Sequence, residues 1–265
     1  VNNKMKVEEF NLINNDIYFM EIIGKWVIIN NDYTGIMILD NHLQLIKKLF
    51  LIQELMIYSS FSSSSELLLF CPDNNCLIYI NIKFFDFQII SLEGLENLIL
   101  SAIYKWDQEE VILSSYKKEF IKLDLNNYSI KKLNLDNSEC RKFREDYIKL
   151  SRFHVYKIYE LEKKAFIKNS FSEVDFIKYK GKIEVLQKIS QEDFHDFEAI
   201  DNYILKIGEE KAVLIHQENK KAYYPEKNYS YLRGKFLKIG KEIYFYLLSS
   251  HNAKLSIKIE KYRIP

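Results

Sequence analysis

The chain is a succession of short apolar runs separated by polar turns, and the runs rarely alternate. "WVIINNDYTGIMILD", Trp26 to Asp40, is typical: a run, a turn at Asn30 to Thr34, and a second run. Runs of four to eight residues rich in Ile, Val, Tyr and Phe, bounded by Asn, Asp and Ser, predict β-strands joined by hairpins. Apolar residues at consecutive positions predict strands covered on both faces.

The pattern repeats. Gly24 to Leu51, "GKWVIINNDYTGIMILDNHLQLIKKLFL", aligns without a gap to Ser65 to Leu92, "SELLLFCPDNNCLIYINIKFFDFQIISL". Gln108 to Leu135 carries the same order of run, turn, run, turn and third run. Looser copies begin at Lys163, Asp201 and Lys241. The first run starts at Trp26, Leu67, Val111, Ala165, Tyr203 and Ile243, with spacings of 41, 44, 54, 38 and 40. A further β-rich run precedes each copy: "DIYFMEI", "LMIYSSF", "LILSAIY", "FHVYKIY", "FHDFEAI" and "RGKFLKI". Six units of four strands follow, at about the 40 to 45 residues of a propeller blade.

The last copy has three strands, and "NKMKVEEFNLI", Asn3 to Ile13, is a spare. It is expected to pair beside Leu255 to Ile259 as the outer strand of the sixth blade, hiding two edges that would otherwise invite aggregation. The arrangement resembles β-propellers in general, over nearly the whole chain, without the Gly-His and Trp-Asp signatures of WD40 blades, the paired glycines of kelch or an Asp-box. The expected fold is a single all-β domain, 1–265: a six-bladed β-propeller of four-stranded antiparallel blades, closed by the N-terminal strand. The resemblance implies a central channel lined by inner strands, and two loop-rich faces.

The 54-residue spacing reflects extra sequence at Asp136 to Arg152. Cys140, Phe143, Tyr147 and Leu150 fall there at helical spacing, which predicts a short amphipathic helix. Insertions in repeat proteins map to loops.

Composition narrows the function classes. Among 265 residues 48% are hydrophobic and 15% aromatic, a balance that disordered chains do not have. With 38 basic against 37 acidic residues, no whole-molecule field draws the chain to nucleic acid or an anionic membrane. The longest apolar runs fall short of a membrane span, and the first residues lack a secretory apolar region. The expected location is cytoplasmic. Three cysteines are too few for a disulfide framework; Cys71 and Cys76 flank "PDNN" and are expected to face each other as reduced thiols across a hairpin.

Two local features bear on chemistry. Phe153-His154 and Phe194-His195 are 41 residues apart on neighbouring inner strands. With Asp196 and Glu198, His154 and His195 form a candidate channel site for a cation or an acid–base pair. Side chains alternate along a strand, so His195 and Asp196 point opposite ways. No HExxH or CxxC spacing, phosphate loop or GxSxG elbow is present, so no metal ligand, cofactor-binding residue or catalytic residue is assigned.

The second feature is charge segregation. Gln191 to Glu218 carries eight acids against two lysines; Asn219 to Pro265 carries eleven Lys or Arg against three Glu. Either the fifth and sixth blades neutralise each other, or a polarised face steers a charged partner. Tyr223, Tyr224, Tyr229, Tyr231, Arg233 and Lys235 lie in the basic stretch and are candidate partner-binding residues, since Tyr and Arg are enriched in hot spots. Such a mixture also suits single-stranded nucleic acid, but the acidic neighbour argues against it.

The reading favoured by these features is a non-catalytic, protein-binding propeller without cofactor, monomeric apart from its protein partner. Its most specific form is a cytoplasmic bacterial immunity protein that neutralises a toxin, suggested by the Ile-, Lys- and Asn-rich composition of an AT-rich genome. The alternative is a channel-site enzyme or small-molecule binder, such as a sugar-acting hydrolase.

Overall fold

The computed structural model of the chain describes residues 6–95, 98–115, 119–133, 150, 153–159 and 161–264. The insertion at 136–152, with Cys140, lies outside them apart from Leu150. That residue is buried among Ala165, Ile167, Ile177 and Tyr179.

Strand β1 (Lys6–Ile13) comes first. The first blade is β2 (Met20–Ile23), β3 (Trp26–Asn31), β4 (Gly35–Leu39) and β5 (Leu45–Phe50). The second is β6 (Ser59–Ser62), β7 (Glu66–Cys71), β8 (Cys76–Asn81) and β9 (Asp86–Ser91). The third is β10 (Leu100–Trp106), β11 (Glu110–Ser115), β12 (Phe120–Asp124) and β13 (Ile130–Lys132). The fourth is β14 (His154–Tyr159), β15 (Lys164–Lys168), β16 (Glu173–Lys178) and β17 (Glu184–Ser190). The fifth is β18 (Asp196–Ile200), β19 (Tyr203–Ile207), β20 (Ala212–His216) and β21 (Asn219–Tyr223). The sixth is β22 (Tyr229–Ile239), β23 (Glu242–His251) and β24 (Ser256–Arg263), with β1 as its fourth strand. These six antiparallel four-stranded sheets are the blades of a six-bladed β-propeller, as the period implies. Strand β1 lies on β24, with Phe10 opposite Ile259 and Ile13 opposite Ser256.

The chain divides into two compact units. One holds residues 1–55 and 193–265, hence blades one, five and six; the other holds 56–192, hence blades two, three and four. In each unit the core lies between successive blades. Phe70, Leu77 and Tyr79 of the second blade pack with Leu100, Leu113 and Ile121 of the third. Met20, Val27 and Met37 of the first pack with Tyr246, Leu248 and Ile259 of the sixth. This explains the missing alternation: β4, β7 and β8 are buried along nearly their whole length, whereas the edge strands β5 and β9 are mostly exposed. Among the described residues no helix is long and apolar enough to cross a membrane.

The first hairpin departs from expectation in one respect. Asn30 and Asn31 belong to β3, so the turn is only Asp32 to Thr34. Asn30 is fully buried. Its Oδ1 accepts the backbone N–H of Tyr18 and of Phe19, both at 2.9 Å, and its Nδ2 donates to the carbonyls of Asp16 and Asp32 at 2.7 and 2.8 Å. An amide has two donors and two acceptor lone pairs, and here all four are used. The residue read as turn is the pin that fastens the lead-in of the first blade.

Candidate functional site

In the unit of blades one, five and six, two close approaches shape the ends of the inner strands. Gly208 directly follows β19, and a Cβ there would stand 2.0 Å from the Asp193 carbonyl oxygen, so only glycine lets the lead-in to β18 lie this close. His195 on that lead-in donates its backbone N–H to the Ile207 carbonyl at 2.9 Å. On the facing strand β22 the register slips between Tyr231 and Arg233, which makes Leu232 the extra residue of a bulge. The bulge turns the Leu232 carbonyl outward. It accepts from His195 Nε2 at 3.0 Å and from Arg233 at 3.1 Å.

The result is an open groove of about 530 Å³. His195, Glu209, Ser230, Arg233 and Asn252 supply its polar lining, and Tyr231 and Leu232 its floor. Ser230 donates to Asn252 Oδ1 at 2.9 Å, and the Glu209 carbonyl accepts the Tyr231 N–H at 2.9 Å. Because a carbonyl only accepts, Nε2 of His195 carries the hydrogen. Arg233 is exposed.

Further along β22 lies an ion cluster that is largely shielded from solvent. Lys235 Nζ stands 3.1 Å from Glu21 Oε2 on β2 and 3.1 Å from Glu198 Oε1 on β18, so one ammonium joins the inner strands of blades one, five and six. Burial opposes the charge on Lys235, but Glu198, Glu21 and Asp196 outweigh it and hold the pKa above the usual lysine range. A second ion pair joins blades five and six, Lys238 to Asp201 at 2.6 Å. The opposite charges of the two blades are thus partly spent on each other.

The two candidate sets therefore merge. His195 meets Arg233 at the groove, and Glu198 meets Lys235 further along β22. Tyr224 is 66% exposed, and Tyr229 is half-buried with its hydroxyl 3.1 Å from Ser256 Oγ. Tyr223 and Tyr231 are core residues. Burial pushes the Tyr223 phenol up to about 12, and its ring packs edge-on against Phe245 and Tyr262. Asp196 is half-buried. His154 belongs to the other unit, where it is exposed and edge-on to Tyr156.

Sequence reasoning missed Glu21, Glu209, Ser230 and Asn252. Glu21 alone left a trace, as the one charge in the inner strand "MEII". Chemically, the groove offers donors and acceptors suited to a polar main chain. Its acid–base candidates are engaged: Glu198 by Lys235, His195 by a carbonyl. Among the described residues no group of three or more His, Cys, Asp or Glu is placed to hold a metal ion.

The other unit presents apolar loop tips on the side where second and third strands, and successive blades, are joined. Phe171 in the β15–β16 turn is 98% exposed, and Met56, Tyr58, Ile99 and Phe153, in or beside the connections into blades, are exposed as well. Aromatic tips of this kind are common in protein-binding surfaces.

No protein-family model matches the sequence, and no curated protein matches it. Solved structures do. YCF48 from Cyanidioschyzon merolae is similar with a TM-score of 0.60 and 7% identity, over 97% of this chain and 98% of that one. A structure of YCF48 bound to D1 peptide is similar with a TM-score of 0.52 and 8% identity, over 98% of each chain. The Cps50 (Swd1) β-propeller domain of Myceliophteria thermophila gives 0.48 and 8% identity, over 95% and 98%. At such identities the likeness is one of fold, and the fold is the β-propeller.

Proposed function

We propose that this β-propeller is a non-catalytic protein-binding module that holds a polypeptide segment at the His195–Arg233 groove. One observation carries the reading: beside the bulge at Leu232 the exposed Arg233 lines an open groove together with a histidine, a carboxylate residue, a hydroxyl and an amide. Such a set matches the alternating donors and acceptors of a peptide, with the buried Tyr231 lining it from the core. The similar protein YCF48 was solved with a peptide bound. A sugar-acting or other channel-site enzyme built on His154, His195, Asp196 and Glu198 has less in its favour, because the partners of His195 and Glu198 already occupy them.

The test is selection of displayed random peptides on the protein. Enriched peptides should lose about tenfold or more in affinity on Arg233→Glu, roughly 1.4 kcal/mol or more, and keep it on His154→Ala. Peptides indifferent to Arg233→Glu overturn the assignment of the groove.

The narrower form, a cytoplasmic bacterial protein that neutralises a toxin, rests on composition alone. A neighbouring toxin gene whose product kills cells unless this chain is co-expressed supports it; an unrelated neighbour and no rescue remove it.

A further inference from the structure

The two buried cysteines of the second blade have no part in the groove, and the backbone sets them against each other. Cys71 ends β7, Cys76 begins β8, and the two are direct cross-strand partners in the antiparallel register. Both are free and buried, yet they lie at the rim of the blade, where the turn Pro72–Asn75 leaves Asp73 and Asn75 exposed. That turn is tightly fixed. Asn75 takes the left-handed conformation at φ 50° and donates its N–H to the Pro72 carbonyl at 2.9 Å. The Asn75 carbonyl accepts from Leu92, and Asn74 Oδ1 accepts the N–H of Met56 at 3.0 Å. Facing residues of an antiparallel pair have Cα atoms about 4.5 to 5.5 Å apart, inside the roughly 4.4 to 6.8 Å that a disulfide spans.

We propose that Cys71 and Cys76 are a reversible redox pair, in which a low-molecular-weight disulfide converts the two thiols to a disulfide across the β7–β8 hairpin and thiol reductants restore them. The sulfurs are not equivalent. The hydrogen bond between them, and then burial, pushes the Cys71 thiol up, whereas the same bond pulls Cys76 below its usual range against the effect of burial. Cys76, the less deeply buried of the two, is therefore the attacking thiolate. Its sulfur bonds to one sulfur of the oxidant, whose S–S bond breaks and whose other half leaves as a thiol with the Cys76 proton. Cys71 then gives up its proton and attacks the Cys76 sulfur, and the mixed disulfide breaks to release the second thiol. Two protein thiols are oxidised and one small disulfide is reduced to two thiols. The reaction needs the turn to open, so it is slow beside that of a surface thiol.

The experiment exposes the folded Cys140→Ser protein to oxidised glutathione and reads intact mass and thiol number after denaturation. Both thiols should disappear together, the mass falling by two hydrogens, and dithiothreitol should restore them. With Cys71 replaced, Cys71→Ser, the attack stalls at one stable glutathione adduct on Cys76. Proteolytic fragments of the unaltered chain, treated alike, should show Cys71 joined to Cys76, so the answer does not depend on either variant folding. Two thiols that persist through prolonged exposure, or two separate adducts in place of a disulfide, overturn the proposal.

Discussion

The second and sixth blades reach the same four-stranded sheet by different physics. In the second, β6 to β9 follow one another as hairpins, and the middle strands β7 and β8 carry uninterrupted buried apolar runs apart from their ends. Each strand finds its partner next door in sequence, so hydrophobic pattern and turn chemistry suffice. In the sixth, β24 must recruit β1 from the far end of the chain, and there the buried face turns ionic. Lys258, Glu260 and Lys261 of β24 are all buried. Lys261 meets Glu8 at 3.1 Å, Lys258 meets Glu9 at 3.3 Å, and Lys6 meets Glu260 at 2.9 Å. A slip of one residue in a strand turns every side chain to the opposite face. Here it would turn Phe10 and Leu12 away from the core they pack on and part Glu8 from Lys261 and Glu9 from Lys258. Local pairing is chosen by pattern alone, and distant pairing by pattern with charge added.

Removing residues 1–13 is the largest expected perturbation of this contrast. It deletes β1 with Phe10 and Leu12, which pack on the core shared by blades one and six, and takes Glu8 from Lys261 and Glu9 from Lys258, which keeps Glu226. Burial of these two half-buried side chains is worth about 3 kcal/mol, and taking Glu8 and Glu9 from the lysines raises the loss to roughly 5 kcal/mol. At about 2 to 4 °C per kcal/mol, the melting temperature should fall by roughly 10 to 20 °C. Calorimetry checks this, and an unchanged transition would mean that β24 needs no partner.

The contrast also explains how much could be read from the sequence. The six blades and the pairing of the spare strand were legible, because a period of about 40 residues and a three-stranded last copy both appear in a linear pattern. The opposition of Cys71 and Cys76 was legible because a four-residue turn separates them. Inner strands begin up to four residues from where the runs suggested, as with "DIYFMEI" and β2, because Asn30 holds the backbone of Tyr18 and Phe19 by its side chain and so takes them out of the ladder. The site was much less visible. Glu21, Glu198 and Lys235 meet only through the lateral offset of three blades, which no spacing encodes, and the groove depends on one extra residue at Leu232 that looks like any other strand residue.

Lys235 tests whether ionic fixation also governs the inner strands. Replacing it as Lys235→Met takes the ammonium away from the buried Glu198 and the half-buried Glu21, and breaking a buried pair by removing one partner costs about 3 to 5 kcal/mol. Adding Glu21→Gln and Glu198→Gln to that variant should recover much of the loss in a denaturant titration, since two neutral amides have no repulsion to relieve. A loss that persists in the triple variant would assign the role of Lys235 to the packing of its stem.

The smallest effect is the most specific to closure by charge. Burial works against ionised Glu9, but hydrogen bonds from Lys6, Asn11 and Lys258 more than offset it and lower its pKa from 4.5 to about 2. A carboxyl whose folded pKa is depressed contributes stability that is whole above the unfolded value and is lost as pH falls through the folded one. The loss should therefore run from about pH 4.5 down to about pH 2. Because Glu9 is exposed, solvent screening keeps the contribution to no more than about 1 kcal/mol, or roughly 2 to 4 °C. Glu9→Gln should be less stable than the unaltered chain at neutral pH and converge with it near pH 2. If the gap between the two melting curves stays constant across that window, Glu9 holds β1 through shape and hydrogen bonding, and the register of the closing strand does not depend on its charge.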